Sequence, residues 1–116
     1  MNGTTTIGCS ESVHSCRRCA KNSAVYGGGS AASAKLALEH HYQLNTHAIG
    51  DKANRVTLDI YEEAFKNAGL DTAAMKAQRW RVEHAQHISA PDIPRFFLMG
   101  VIASMQTVHC TSDALY

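Results

Sequence analysis

Tyr42-Gln43-Leu44-Asn45-Thr46-His47-Ala48-Ile49-Gly50-Asp51 is the stretch on which the reading of the fold turns. It begins as a short apolar-rich run, ends in polar residues and is broken by Gly50-Asp51. A strand whose C-terminal end carries Asn45, Thr46 and His47 is predicted, followed by a helix with Asp51 as its cap. In that helix Ala53, Val56, Ile60 and Ala64 recur at steps of three and four, and Leu58, Tyr61 and Phe65 widen the stripe. One buried face follows, with Glu62 and Glu63 outside and Gly69 at the left-handed C-terminal position.

The same unit then recurs. Trp80-Arg81-Val82-Glu83-His84-Ala85 reads as a second strand with a polar end. Ser89-Ala90-Pro91-Asp92 resembles a capping box, and Pro94 fits a first turn if the helix begins near Asp92. Ile93, Phe96 and Phe97 are expected to form its apolar face, and Gly100 to end it. Val101-Ile102-Ala103-Ser104-Met105-Gln106 is a third strand, apolar enough to be covered on both faces. Strands are expected near 43–48, 81–85 and 101–106, and helices near 52–68 and 92–99.

Strands alternating with helices imply parallel pairing, and in such α/β folds chemistry sits at the C-terminal strand ends. His47 and His84 are 37 positions apart. A barrel of about 250 residues with eight units spends about 31 residues on each. The two imidazoles therefore fall at equivalent ends of neighbouring strands, where they could share one ion. His109 and Asp113 are further polar groups on that rim. Plainer uses stand beside these: hydrogen-bonded structural histidines, Asp51 as a cap, Glu83 in an ion pair, Gln106 as a strand-end hydrogen-bonding group.

Composition bounds the rest. The chain has 116 residues, 45% hydrophobic and 18% charged, with a formal net charge of +1. That is the size of one small globular domain, with no electrostatic pull toward nucleic acid or membrane. No apolar run is long enough to span a bilayer and no signal-peptide core is visible, so a cytoplasmic chain with reduced thiols is expected. Residues 1–35 are rich in Ser, Thr, Gly and Ala and lack apolar periodicity, so a low-complexity disordered tail is expected there, ahead of a domain over 36–116. Cys9, His14, Cys16 and Cys19 include a CxxC, but no second pair follows, and they are not expected to converge on a zinc ion. No GxSxG elbow supports a serine hydrolase.

Asn45-Thr46-His47-Ala48-Ile49-Gly50-Asp51-Lys52-Ala53-Asn54-Arg55 resembles a signature of amidohydrolase family 3, in the metal-dependent amidohydrolase superfamily and similar to N-substituted formamide deformylases. Arg81-Val82-Glu83-His84-Ala85-Gln86, Asp92-Ile93-Pro94-Arg95-Phe96, Gly100 to Gln106 and His109-Cys110-Thr111-Ser112-Asp113 continue the resemblance in order over roughly 40–116. It implies a fragment of a metal-dependent hydrolase TIM (β/α)₈ barrel, about strands five to seven. It implies metal ligation, of zinc in the first place, by His47 and His84, a substrate-facing His109, and hydrolysis of non-peptide amide C–N bonds in small molecules. The family's first-strand HxH has no counterpart, since His40-His41 are adjacent. Its bridging fourth-strand group is not identifiable, its eighth-strand Asp would lie past Tyr116, and Thr107-Val108 stands where a proline is usual. A truncated chain is therefore expected, with weak metal affinity. The alternatives are an inactive fragment or a non-enzymatic small metal-binding or interaction protein; in any of these cases the exposed sheet edges offer a route to self-association.

Overall fold

A computed structural model describes residues 4–7 and 31–112. The elements run β1 (Thr4–Ile7), α1 (residues 31–39), β2 (Gln43–Ala48), α2 (Asp51–Asn67), α3 (Thr72–Gln78), β3 (Arg81–His84), a 3₁₀ turn (Ala90–Asp92), α4 (Ile93–Met99), β4 (Ile102–Ser104) and α5 (Val108–Ser112). The sheet has the order β1-β2-β3-β4, and every neighbouring pair is parallel. This is the mixed α/β arrangement with a parallel sheet that the alternating pattern implies. No helix among the described residues is long and apolar enough to cross a membrane.

Two elements depart from the reading of residues 1–35 as a tail. Thr4 to Ile7 pair with Gln43 to Thr46, and residues 31–35 lie in α1. Three threonines and an isoleucine in succession favour a strand whatever the polarity around them, because branching at Cβ suits the pleated backbone. In α1, Ala34, Ala37 and Leu38 pack into the core at helical spacing. The Cys9, His14, Cys16 and Cys19 constellation lies outside the described residues, as does Asp113.

The core sits between the sheet and α2. Trp80, Tyr61 and Phe65 are fully buried and meet ring against ring, with centroids 4.8 Å apart for Tyr61–Trp80 and 4.7 Å for Phe65–Trp80. Tilted and edge-on contacts of this kind add to the area buried. The Trp80 indole N–H donates to the Tyr42 carbonyl at 3.1 Å. The Tyr61 hydroxyl lies 2.7 Å from Thr46 Oγ1 and donates to the Arg81 carbonyl at 2.9 Å, so it spans β2 and β3 from beneath; burial pushes its pKa up.

The buried stripe of α2 is Asn54, Thr57, Leu58, Tyr61 and Phe65. It is rotated from the expected one because Asn54 and Thr57 are buried polar residues that an apolar pattern passes over. Gly50, not Asp51, is the N-cap; the Asp51 carboxylate accepts from Lys52 N at 2.7 Å inside the first turn. Gly69 takes the left-handed conformation after α2 as expected. In α4 the buried residues are Phe96 and Met99, whereas Ile93 and Phe97 face outward, and the Lys76 ammonium sits 4.3 Å above the Phe97 ring. The capping box does not form. Asp92 turns its buried carboxylate to Arg55 at 2.8 Å and Arg95 at 3.1 Å instead.

Candidate functional site

Side chains alternate between the two faces of a strand. Leu44, Ala48 and Val82 are fully buried in the core between the sheet and the helices, where Ala103 also packs. Asn45, His47, Arg81, Glu83 and Ser104 belong to the other face. There Arg81 donates to Glu83 Oε1 at 2.7 Å and to Ser104 Oγ at 2.6 Å, and His47 stands in register with Glu83. The hydrogen bond from Arg81, against a smaller opposing effect of burial, holds the Glu83 carboxyl below its ordinary value; the Arg81 pKa rises in turn.

Alternation alone would place His84 on the helix face with Val82. The backbone prevents this. His84 and Ala85 have φ of 70° and 44°, a left-handed pair of non-glycine residues at the end of β3. Such conformations are costly for side chains with a Cβ and persist where the surroundings hold them. The turn brings the His84 ring to 4.1 Å from the His47 ring, centroid to centroid, at an interplanar angle of 71°. His84 Nδ1 is buried and has no hydrogen-bond partner among the described residues. A buried imidazole nitrogen left in that state is costly unless something binds it.

His109, on α5, reaches the same place: its ring centroid is 5.5 Å from that of His84, and its Nε2 lies 2.6 Å from Gln106 Oε1. The structure thus brings His47, His84 and His109 together. Neutral imidazoles are the donor type that zinc and similar borderline ions take. In number the fit is partial. No group of three or more His, Cys, Asp or Glu side chains disposed to hold one ion occurs among the described residues. His47 and His84 would supply two of the roughly three protein ligands of a catalytic zinc.

Two contributors to this rim were not singled out by the sequence reading. Arg81 orders Glu83 and Ser104 across two strands, β3 and β4. Asn54 is fully buried at the N-terminal end of α2 and points its amide at the ends of β2 and β3. The available signal was a polar residue in phase with Leu58, Tyr61 and Phe65.

Comparison with known proteins agrees with the geometry. Residues 17–115 match the Amidohydrolase family. Protein LONG AFTER FAR-RED 3 of Arabidopsis thaliana is 42% identical over 73 residues, which is 62% of this chain and 12% of that relative. The chain therefore spans a small part of the length of the relative it matches. No solved structure matches it. With strand-end histidines meeting on one rim of a parallel sheet and the family match running across both, the chain belongs to the Amidohydrolase family.

Proposed function

We propose that this chain forms part of the metal-binding wall of a (β/α)₈ hydrolase barrel, with β2, β3 and β4 as its fifth, sixth and seventh strands. The observation that carries the reading is the meeting of His47 and His84 at the C-terminal ends of adjacent parallel strands. His47 and His84 would hold a divalent ion, zinc in the first place. When bound, such an ion polarises a carbonyl and makes water acidic enough to act near neutral pH. The residues themselves fix the imidazoles, keep Glu83 ionised through Arg81 and place His109 at the mouth, where a substrate would pass. The substrate class is a small-molecule amide, N-formyl or another N-acyl compound, cleaved at a C–N bond that is not a peptide bond. The remaining ligands would come from other strands of a complete barrel.

A second reading is favoured by the ligand count among the described residues: the chain alone binds metal weakly and turns nothing over. Zinc titration by calorimetry separates the parts of this proposal. Binding that is lost in both His47→Ala and His84→Ala supports the ligand assignment. Tight binding unchanged by either substitution overturns it.

A further inference from the structure

The geometry points to Asn54 as the positioning residue that holds the two histidines together, an inference that rests on the proposed role of His47 and His84. Asn54 is fully buried. Its side-chain amide nitrogen lies 2.9 Å from the Gly50 carbonyl oxygen, 3.1 Å from that of His87, and 3.3 Å from those of Ala48 and Ile49. Gly50, Ala48 and Ile49 form the segment just after His47, and His87 follows His84 by three residues. One NH₂ group therefore bridges the exits of both strands. Backbone bonds close the same junction: Ala85 N donates to Ala48 O at 3.0 Å and His87 N to Ile49 O at 2.8 Å. These bonds tie the residue after each histidine to the other strand, and they surround the left-handed pair His84–Ala85.

Asn54 Oδ1 is buried and accepts no hydrogen bond among the described residues. That is an unfavourable feature for a core position, where an apolar side chain of similar volume would avoid it. What an apolar side chain lacks is the pair of donors. Two N–H groups shared among these four carbonyls, three of which also accept backbone bonds, join the two strand exits as no apolar side chain can, and the strained backbone of His84 is what they constrain. Ligand orientation set from one step behind the ligands is commonly worth about 10- to 100-fold in metal affinity.

The test uses the full chain with labelled histidines. Three measurements are compared in wild type, Asn54→Leu and Tyr61→Phe: the nuclear Overhauser contact between the His47 and His84 rings, cobalt(II) affinity by visible absorption, and the urea transition. Tyr61→Phe removes a buried hydroxyl that also bridges β2 and β3, but beneath the sheet. Asn54→Leu should keep a cooperative transition yet lose the inter-ring contact and weaken cobalt binding about 10- to 100-fold, with Tyr61→Phe unchanged in both. A folded Asn54→Leu that retains the contact overturns the inference, and so does equal loss in both variants, which would mark general loosening. If Asn54→Leu does not fold, hydrogen exchange in the wild type decides: Ala85 and His87 amides protected like the core support the clamp, and fast exchange at both overturns it. Cobalt binding indifferent to His47→Ala and His84→Ala would sink the ligand assignment instead, leaving the ring contact to decide on Asn54.

Discussion

The imidazoles of His47 and His84 lie 4.1 Å apart, edge to face, although their positions in register place them diagonally, with His47 opposite Glu83 and His84 opposite Ala48. The contact exists because the backbone leaves strand geometry at His84, the residue whose ring an undisturbed strand would have carried to the helix face. From this follows the first prediction. The purified chain should show no metal-dependent hydrolysis of N-formyl or N-acyl amides, because among the described residues two histidines leave at least one zinc position without a protein ligand and the bound water poorly oriented. An assay with added zinc checks it. Turnover abolished by both His47→Ala and His84→Ala would show that the two-histidine rim suffices.

Gly100 should tolerate no side chain. Its φ is 69°, and a Cβ there would stand 2.6 Å from Lys76 Cα on α3. Gly69 has nearly the same φ, 66°, with nothing within 4 Å of a Cβ. Gly69→Ala should cost about 1–2 kcal/mol for the left-handed backbone, and Gly100→Ala about 2–4 kcal/mol, because α3 must also shift. Urea unfolding of the two variants measures the difference; equal losses would show that α3 yields freely.

Asp92 is the anchor between α2 and α4. Its carboxylate is almost wholly buried and binds Arg55 and Arg95, while Arg95 also reaches Asp59 at 2.7 Å and Glu62 at 2.8 Å. Burial works against the charge on Arg95, but the three carboxylates outweigh it and hold its pKa above the ordinary value. Asp92→Ala should destabilise by about 1–3 kcal/mol, since it removes the buried carboxylate that joins Arg55 to Arg95, although Arg95 keeps Asp59 and Glu62 and Arg55 is half-exposed. Glu62→Ala should cost less, as its contacts are half-exposed and shared with Lys66. Chemical denaturation of both variants orders them.

Acid should weaken the fold through Glu83. Its carboxyl is held below the ordinary 4.5, chiefly by the hydrogen bond from Arg81, so the ionised form is favoured in the folded state. The contribution is fully present above the unfolded value and is lost as pH falls through the lower folded one. Denaturation midpoints measured from about pH 6 to about pH 3 should fall, and fall less in Glu83→Gln. An identical decline in both would place the acid sensitivity elsewhere, with Glu62 the next carboxyl to substitute, since Lys66 and Arg95 lower it in the same sense.

Periodicity and turn chemistry alone pointed to strand, helix, strand, helix, strand between Gln43 and Ser104 and to the parallel sense of the sheet, but passed over the short helix α3 (Thr72–Gln78). Those features rest on local patterns: steps of three and four in α2, polar residues closing each strand, and glycines at Gly69 and Gly100 where the chain turns left-handed. The order of the family blocks in the sequence already pointed to the amidohydrolases. Tertiary structure decided what those patterns cannot encode. Thr4–Ile7 reads as polar low complexity until β2 offers it a partner, because a strand is completed by its neighbour and not by itself. Asn54 and Asp92 look like surface residues until the carbonyls and guanidinium groups that justify their burial converge from distant segments. Ile93 and Phe97 look like core and face outward, since the direction of α4 is set by Phe96, Met99 and the Asp92 ion pairs. The meeting of His47 and His84 belongs to this second kind, because it depends on a backbone reversal at His84 that contacts across the strand ends, and not the residue's own preference, maintain.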